Sequence, residues 1–267
     1  MIARRDDRQA APDLDWPQPG CAVCPAFEHA LCEAARRHGG PPIAVPPNLI
    51  PQGEVSVRAR RLVAHEHDFR DSVPIICSGW AATVALLPDG RRQILSFLLP
   101  GDIVSVELLF APQPRRVVEA ITDVRYRKYK RAELKGLLSQ RADLLDRVMK
   151  AWLAEATRAN RLIVDLGRRS GEERIAQLIL NFVERLTERN LIRTDPIEFE
   201  FPLRQHQIAD AIGMTQVHVS KVISDLRRGG FIEFRERSLT VLDLAGLRER
   251  ASMRYGSYEA SLSTAAV

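Results

Sequence analysis

Residues 205–224, QHQIADAIGMTQVHVSKVIS, contain the pattern that decides the fold of the C-terminal part of this chain. A first short helix has three apolar residues on one face: Ile208, Ala209 and Ile212. Gly213 follows where the chain must turn sharply, with a positive φ that glycine accepts at low cost. Thr215 can then cap a second helix through its hydroxyl. That helix has an apolar stripe at three- and four-residue steps: Val219, Val222 and Ile223. The stretch is predicted to be a helix-turn-helix, with an ordinary helical hairpin as the alternative.

The first turns of the second helix carry side chains that point away from this stripe. In a helix-turn-helix these turns face base edges in the major groove. The outward residues are Gln216, Val217, His218, Ser220 and Lys221. Together with Thr215, we predict that they contact DNA.

The residues after the helix predict a wing. FIEFRERSLTVL (231–242) has two short β-type runs around the polar turn Arg235-Glu236-Arg237-Ser238, and a basic hairpin tip suits a phosphate backbone. Upstream, residues 197–201 (IEFEF) predict another short strand that leads into Arg204. We therefore predict a winged helix-turn-helix in which Arg204, Arg235 and Arg237 also contact DNA.

The bulk properties agree with a nucleic-acid partner without proving it. The 267 residues carry a formal net charge of +5 and leave room for two domains. No apolar run approaches the ~18 residues that a membrane span needs, and the first 20 residues lack the apolar core of a secretory signal. The sequence predicts a cytoplasmic protein that is not an enzyme, because no residue pattern suggests catalysis.

Upstream of the helix-turn-helix the pattern changes from strands to helices. Between about 51 and 132, short β-type runs alternate with turn signals, which favours a sandwich or barrel. From Arg131 to Leu166 there is no proline and no turn cluster, so one long helix with a narrow apolar seam is predicted. The seam is interpreted as a dimer interface and includes Leu145, Val148, Trp152, Ala159, Leu162 and Leu166.

This order of elements resembles the Crp/Fnr family of bacterial transcription regulators. The segments that carry the resemblance are SGWAATVALLPDGRRQILSFLLPGD (78–102), SGEERIAQLI (170–179) and IADAIGMTQVHVSKVISDLRRGGFI (208–232). It implies an α+β fold with an N-terminal β-roll of the jelly-roll, cyclic-nucleotide-binding type, a dimerisation helix and a C-terminal winged helix-turn-helix. It also implies a homodimer that binds double-stranded DNA and contacts RNA polymerase.

The expected domain bounds follow from these patterns and the resemblance. A cysteine-bearing segment and the β-roll span 21–132, the dimerisation helix spans 133–167, and the DNA-binding domain spans 168–250. Two disordered tails are expected at 1–20 and 251–267.

The cyclic-nucleotide branch of the family holds the cyclic phosphate with a Gly-Glu pair and an Arg-Ser pair. In GDIVSVELLFAPQPRRVVEA (101–120), Ser105-Val106 stand where the resemblance puts the first pair, and Arg116-Val117 where it puts the second. Valine cannot donate to a phosphate oxygen, and the ribose contact of the glutamate is lost. These substitutions argue against cyclic-nucleotide binding.

The cysteines point to another signal. Cys21-x2-Cys24-x7-Cys32 is similar to the N-terminal ligand set of oxygen-sensing family members, and the fourth cysteine is Cys77. Four thiolates are what a [4Fe-4S] cluster needs, although zinc binding and a thiol switch are alternatives for the N-terminal three. His65 and His67 form an H-x-H pair that is more typical of a surface turn than of a metal site.

The family's fourth ligand lies in a segment that matches residues 120–134 here, which contain no cysteine; Arg125 falls at about that position. In the jelly-roll order, the strand that ends near Cys77 lies antiparallel beside this segment. Facing side chains on paired strands are only ~5 Å apart. We therefore hypothesise that Cys77 is the fourth ligand, with an ordinary buried thiol as the alternative.

The reading helix departs from the oxygen sensors of the family, which carry a glutamate and an arginine four positions apart. Val217 and Lys221 occupy these positions here, with Ser220 retained between them. A valine cannot accept from a cytosine amine but can contact a thymine methyl, so a related but altered operator is predicted. Two functional classes stay open: an oxygen- or redox-responsive regulator with a cluster, and a metal-free regulator controlled by abundance, thiol oxidation or a small ligand.

Overall fold

The computed structural model describes residues 52–64, 71–110, 117–189, 191–194 and 196–252. Cys21, Cys24, Cys32 and both expected tails lie outside these ranges, except for the first residues of the C-terminal tail, which end the last helix. The H-x-H pair and Arg116 also lie outside. Within the described ranges, no helix is both long and apolar enough to cross a bilayer.

The N-terminal unit is the predicted β-roll, built from seven antiparallel strands in two sheets. Its strands are β1 (Gly53–Val57), β2 (Leu62–Ala64), β3 (Ser72–Ser78), β4 (Ala81–Leu86), β5 (Arg92–Leu98), β6 (Val117–Ala120) and β7 (Val124–Lys130). The sheet orders are β1-β7-β3 and β2-β6-β4-β5. Gly79 joins the two sheets with φ +81°, and a Cβ there would lie 2.0 Å from the Asp123 carbonyl oxygen, so only glycine fits this crossing.

The pairing of β3 with β7 brings Cys77 to the position expected for it. The strands are antiparallel, and Ser78 pairs with Arg125 at the end of β3 and the start of β7. The register is irregular between Ile76 and Ser78, which is where Cys77 lies. The predicted neighbourhood of Cys77 and Arg125 is therefore confirmed.

The prediction of one unbroken helix from Arg131 to Leu166 is wrong. The segment forms two helices, α1 (Arg131–Gln140) and α2 (Ala142–Arg168), separated by Arg141 in an extended conformation (φ −127°, ψ 91°). Arg141 donates to both carboxylate oxygens of Asp143, at 2.9 and 2.8 Å. Three leucines of α1 are buried in the roll: Leu134, Leu137 and Leu138. The break lets α1 stay on the roll while α2 leaves it, and no glycine or proline marks it in the sequence.

The C-terminal unit is a winged helix-turn-helix. Its helices are α3 (Gly171–Thr187), α4 (Gln205–Ile212), α5 (Gln216–Arg228) and α6 (Leu244–Ser252). Its strands are β8 (Arg193–Thr194), β9 (Ile197–Glu200), β10 (Ile232–Arg235) and β11 (Ser238–Val241), in the sheet order β10-β11-β9-β8. A capping box starts α3: Glu173 N–H donates to Ser170 Oγ, and Ser170 N–H donates to a Glu173 carboxylate oxygen.

The two units pack through one continuous apolar core, which we call the junction. Residues of β4 and β5 and their flanking turns form the outer face of the roll, and this face meets α3. The Phe182 ring lies 4.8 Å from the ring of Trp80 and 5.2 Å from that of Phe97. Trp80 therefore packs in a core.

A buried ion cluster crosses the same junction. Asp102, at the corner after β5, accepts from Arg185 at 2.7 Å and from Arg189 at 2.5 Å, both on α3. The Leu99 N–H also donates to Asp102, and Arg185 donates to the Phe97 carbonyl. Burial alone would raise the pKa of Asp102, but the two arginines and these hydrogen bonds hold it below its ordinary 3.8.

Candidate nucleic-acid interface

The helix-turn-helix has the local geometry that its sequence predicts. Gly213 ends α4 in the left-handed region (φ 65°, ψ 45°), and a Cβ there would lie 2.9 Å from a Leu166 methyl. The Thr215 hydroxyl caps α5 by accepting from the His218 N–H at 3.3 Å. The predicted inner stripe is confirmed, since Val219 and Val222 are buried and Ile223 packs against the core.

The outer face of α5 forms an open groove. Val217 stands out with 82% of its surface exposed, which is unusual for an apolar side chain on a helix. The groove is lined by Gln205, Gln216, Val217, Ser220, Lys221, Ser224, Asp225 and Arg228. Four of the predicted DNA-contacting residues therefore share one surface. Ser224 and Arg228 were missed by the sequence reasoning, although they follow Val217 at seven and eleven residues, which is helical spacing.

His218 does not share this surface. Its Nε2 would lie 3.4 Å from a Cβ at Gly171, and the Met214 side chain packs at the same point. His218 is thus turned about 100° around α5 from Val217, towards the start of α3. His218 is nevertheless exposed, and the expectation that it contacts DNA stays a prediction.

The wing has the expected basic tip. The turn between β10 and β11 contains Glu236 at φ 53°, and both Arg235 and Arg237 are exposed. The only ion pair that involves Arg235 within the described chain joins its Nε to Glu233 at 3.2 Å. Arg204 is exposed just before α4, where its N–H donates to Gln207 Oε1. Each of these arginines is therefore available to a phosphate backbone.

Comparison with known proteins identifies the family to which this architecture belongs. The chain matches the family model for the Crp-like helix-turn-helix domain over residues 173–250 and that for the cyclic nucleotide-binding domain over residues 54–141. It is 31% identical to the nitrogen fixation regulation protein FixK of Bradyrhizobium diazoefficiens, over 71% of this chain and 78% of that protein. It is 30% identical to the transcriptional activator protein FnrL of Cereibacter sphaeroides, over 73% and 79% of the two chains. The chain belongs to the Crp/Fnr family.

A solved structure supports the same assignment. That of FixK2 from Bradyrhizobium japonicum has a TM-score of 0.66 and 27% identity, over 75% of this chain and 97% of that one. The protein is a DNA-binding transcriptional regulator of the Fnr/FixK branch, and its relatives are regulators rather than enzymes.

The long helix α2 leads to the winged helix-turn-helix domain, but its predicted apolar seam needs correction. Val148 is only 2% exposed because it packs into the roll core, and Leu162 is half-buried beside α3 and α4. Leu145, Trp152 and Ala159 are exposed, as the predicted interface requires. The exposed seam alternates steps of four and three residues: Leu145, Met149, Trp152, Ala156, Ala159 and Ile163. This is the spacing of a coiled-coil interface.

Cys77 is the one predicted cluster ligand that the structure describes. It is half-buried at the end of β3 and has its Sγ 3.7 Å from the Ile75 carbonyl oxygen. The neighbouring Arg125 side chain donates to Ser78 Oγ at 2.9 Å and pairs with Glu54. Over the described part of the chain, histidines, cysteines and acidic residues form no group of three that could hold a metal. A site would have to combine Cys77 with cysteines outside that part.

The positions that hold a cyclic nucleotide in that branch of the family differ here in the ways noted from the sequence. Val106 is buried in the short 3-10 helix Val106–Leu109, and Val117 begins β6. Neither side chain can donate to a phosphate. The expectation that no cyclic nucleotide binds stays a prediction.

Proposed function

We propose that this protein is a homodimeric transcription regulator whose DNA affinity responds to oxygen or redox state through a [4Fe-4S] cluster on Cys21, Cys24, Cys32 and Cys77. The observation that carries the cluster part is the pairing of β3 with β7. It brings Cys77 beside Arg125, at the point where the family's fourth ligand is expected. Soft thiolates are the ligands that iron–sulfur clusters prefer, and the chain holds four cysteines.

The donor set fits the group in number and in kind. Cys21, Cys24 and Cys32 would hold a cluster together with Cys77, so that ligation would tether the N-terminal segment to the roll; the cluster would supply sensitivity to oxidation. Cys77 would bind the cluster from strand β3, which is paired within the roll, rather than from a loop. Loss of the tether would alter the roll. Helix α1 packs on the roll, and α2, which carries the exposed seam, follows α1 in the chain.

DNA reading is proposed to rest on the groove of α5. Lys221 can donate to guanine or phosphate, Gln216 and Ser220 add polar contacts, and Val217 can contact a thymine methyl. The capped start of α5 at Thr215 lies at the base-facing end of the helix. The basic wing tip and Arg204 are proposed to contact phosphates, and His218 is proposed to contact the flanking backbone rather than a base. A homodimer would place two such helices on half-sites about one turn of DNA apart.

The seam of α2 is proposed as the dimer interface. It exposes four large apolar side chains at coiled-coil spacing: Leu145, Met149, Trp152 and Ile163. Exposed apolar surface of this extent is typical of a protein interface. Contact with RNA polymerase is also proposed, on the family resemblance alone.

The experiment that tests the cluster is iron and acid-labile sulfide analysis of protein purified without oxygen. We expect about four of each per chain, with a visible band that bleaches in air. The Cys77→Ser variant is expected to lose iron, whereas Ser78→Ala, one residue away on the same strand, should keep it. Full iron content in Cys77→Ser would remove Cys77 from the ligand set.

A metal-free regulator is the second candidate. The hydrogen-bonding distance of 3.7 Å between Cys77 Sγ and the Ile75 carbonyl oxygen favours it, since an ordinary thiol makes such a contact. Absence of iron from anaerobically purified wild-type protein would select this candidate. The DNA-binding function is independent of that result.

A further inference from the structure

A small cavity lies at the junction, behind the reading helix and away from Cys77. It has a volume of about 90 Å³ and is bounded by β5, α2, α3 and the end of α4. Its polar lining comes from Ser96, Arg158, Arg161, Asp165, Arg174, Gln177, Asn181 and Arg185. Ser105, Val106 and Val117 do not line it, but Ser96, Arg158 and Arg185 also line a neighbouring pocket that includes Val106.

The charges that line the cavity do not balance. Four arginines face one carboxylate, that of Asp165, which is itself paired with Arg169 Nε at 3.0 Å. Arg174 is occupied by three backbone carbonyls, of Arg169, Ile212 and Leu166, at 2.9 to 3.0 Å. The remaining positive charge of the lining therefore belongs mainly to Arg158, Arg161 and Arg185.

Several buried polar atoms at this cavity lack a hydrogen-bond partner in the described structure. They are Ser96 Oγ, Arg158 Nε and Arg185 Nε, together with Asp165 Oδ1, whose neighbour is the Arg169 Nε of its ion pair at 3.0 Å. A buried donor without an acceptor costs about 1–3 kcal/mol, so native proteins supply a partner from protein, water or ligand. Two unmatched guanidinium donors and a hydroxyl on one small cavity match the donor pattern that an oxyanion accepts.

The guanidinium groups also repel one another. Burial, together with the charges of Arg189 and Arg158, lowers the pKa of Arg185 to about 10, against the opposing effect of Asp102. Arg185 stays protonated at neutral pH. The charge of Arg185 is partly balanced by Asp102, which lies outside the cavity. Arg158 therefore has another positive group, Arg185, as its charged neighbour.

We propose that this junction cavity binds a small oxyanion of the phosphate type, held by Arg158, Arg185 and Ser96. A phosphate group carries several acceptor oxygens, which can meet these unmatched donors together. The anion would bridge the roll, α2 and α3 and so stabilise the observed packing of the reader on the roll. The proposal does not rest on the cluster or on the altered operator.

The test is titration of the full-length chain with inorganic phosphate, measured by calorimetry and thermal unfolding. Sodium chloride and sodium acetate at equal ionic strength are the controls for general salt effects. We expect phosphate to raise the melting temperature of the wild-type protein by about 2–4 °C beyond chloride. Glycerol 3-phosphate is added in parallel: tighter binding than inorganic phosphate identifies a phosphoester as the ligand, and weaker binding identifies the free ion.

Variants localise the effect. Arg158→Gln is expected to weaken phosphate binding at least tenfold, and Lys150→Gln, on the exposed face of the same helix, is expected to leave it unchanged. In buffer without phosphate, Arg158→Gln should melt at or above the wild-type temperature, because a repelled charge has been removed. Ser96→Ala provides a second, uncharged change that should weaken binding without altering the net charge.

Two results would overturn the proposal. The first is a wild-type protein that phosphate stabilises no more than chloride, which would mean that the cavity holds water only. The second is equal phosphate binding by the wild type and Arg158→Gln, which would place the anion elsewhere.

Discussion

The junction and the exposed faces of α2 and α5 contain similar types of residue. The junction covers them, whereas on the two faces they are exposed. At the junction, the buried Arg185 and the partly buried Arg189 pair with one carboxylate, and Phe182 is enclosed by aromatic rings. On the outer faces of α2 and α5, Trp152 and Lys221 have no such enclosure. The apolar core of the junction is covered within one protomer, whereas each exposed face lacks the surface that would cover it.

The chemistry of an exposed face indicates its partner. The face of α2 is apolar, so its burial would release water and favours another protein surface. The face of α5 is polar and basic around a single valine, which suits the phosphates and base edges of a DNA groove. Breaking the junction should therefore cost protomer stability, whereas breaking either face should cost association alone.

The largest effect is expected from Asp102→Asn, which leaves Arg185 and Arg189 buried without a counter-charge. Removal of one partner from a buried ion pair costs roughly 3–5 kcal/mol of unfolding free energy, and we expect the lower end because the variant keeps a hydrogen-bonding side chain. Urea denaturation measures the loss. The matched control is Asp146→Asn, whose exposed pair with Lys150 should contribute less than about 1 kcal/mol. Equal losses in the two variants would show that the ion cluster does not support the junction.

The same cluster predicts a response to acid. The pKa of Asp102 is lower in the folded protein than its ordinary 3.8, so its stabilising contribution is full above 3.8 and declines as pH falls through the folded value. The stability difference between wild type and Asp102→Asn should therefore be constant near neutral pH and shrink below 3.8. Denaturant melts in a pH series check this. A difference that already declines between pH 7 and pH 5 would contradict the lowered pKa.

Trp152→Glu is expected to disrupt the seam of α2 with little effect on the fold of the protomer. An aromatic anchor in an interface contributes about 2–3 kcal/mol, so the dimer dissociation constant should rise about 100-fold, followed by DNA affinity. Sedimentation equilibrium gives the dimer constant, and circular dichroism checks the fold. Lys150→Gln is the control on the same helix. A dimer that survives Trp152→Glu unchanged would place the interface elsewhere.

Lys221→Ala should weaken DNA binding by about tenfold at moderate salt and reduce the slope of log affinity against log salt by about one. Fluorescence anisotropy across a salt series measures both quantities. The comparison variant is Lys150→Ala, which removes the same charge far from the groove. An unchanged slope with lost affinity would indicate that Lys221 reads a base rather than a phosphate.

The smallest effect is expected from Val217→Ala. Loss of contact with a thymine methyl should reduce affinity by about threefold and relax preference at one operator position. Selection of binding sites from a random pool, with wild type and variant in parallel, reveals the position. Recovery of the same operator by both proteins would remove Val217 from base reading.

The reader domain shows how much of this molecule is encoded locally. Gly213 after an apolar helix face, a capping threonine and a second apolar stripe are short-range signals, and the observed helices follow them within a residue or two. The outer residues of α5 follow from the same period, so the residues that share its exposed surface could be predicted. The neighbours of His218 could not, because they include the start of α3, which begins 47 residues earlier in the chain at Gly171.

By itself, the sequence determined the kinds of element, their order and the helix-turn-helix, and its resemblance to a family added the strand pairing that brings Cys77 towards Arg125. Only the tertiary structure decided the break at Arg141, the burial of Val148 on the roll side of α2, and the junction with its ion cluster and cavity. Periodicity records which residues of an element share a face. Which surface covers that face depends on segments that are distant in the chain. For α2, the roll covers one side of the predicted seam and leaves the other side exposed.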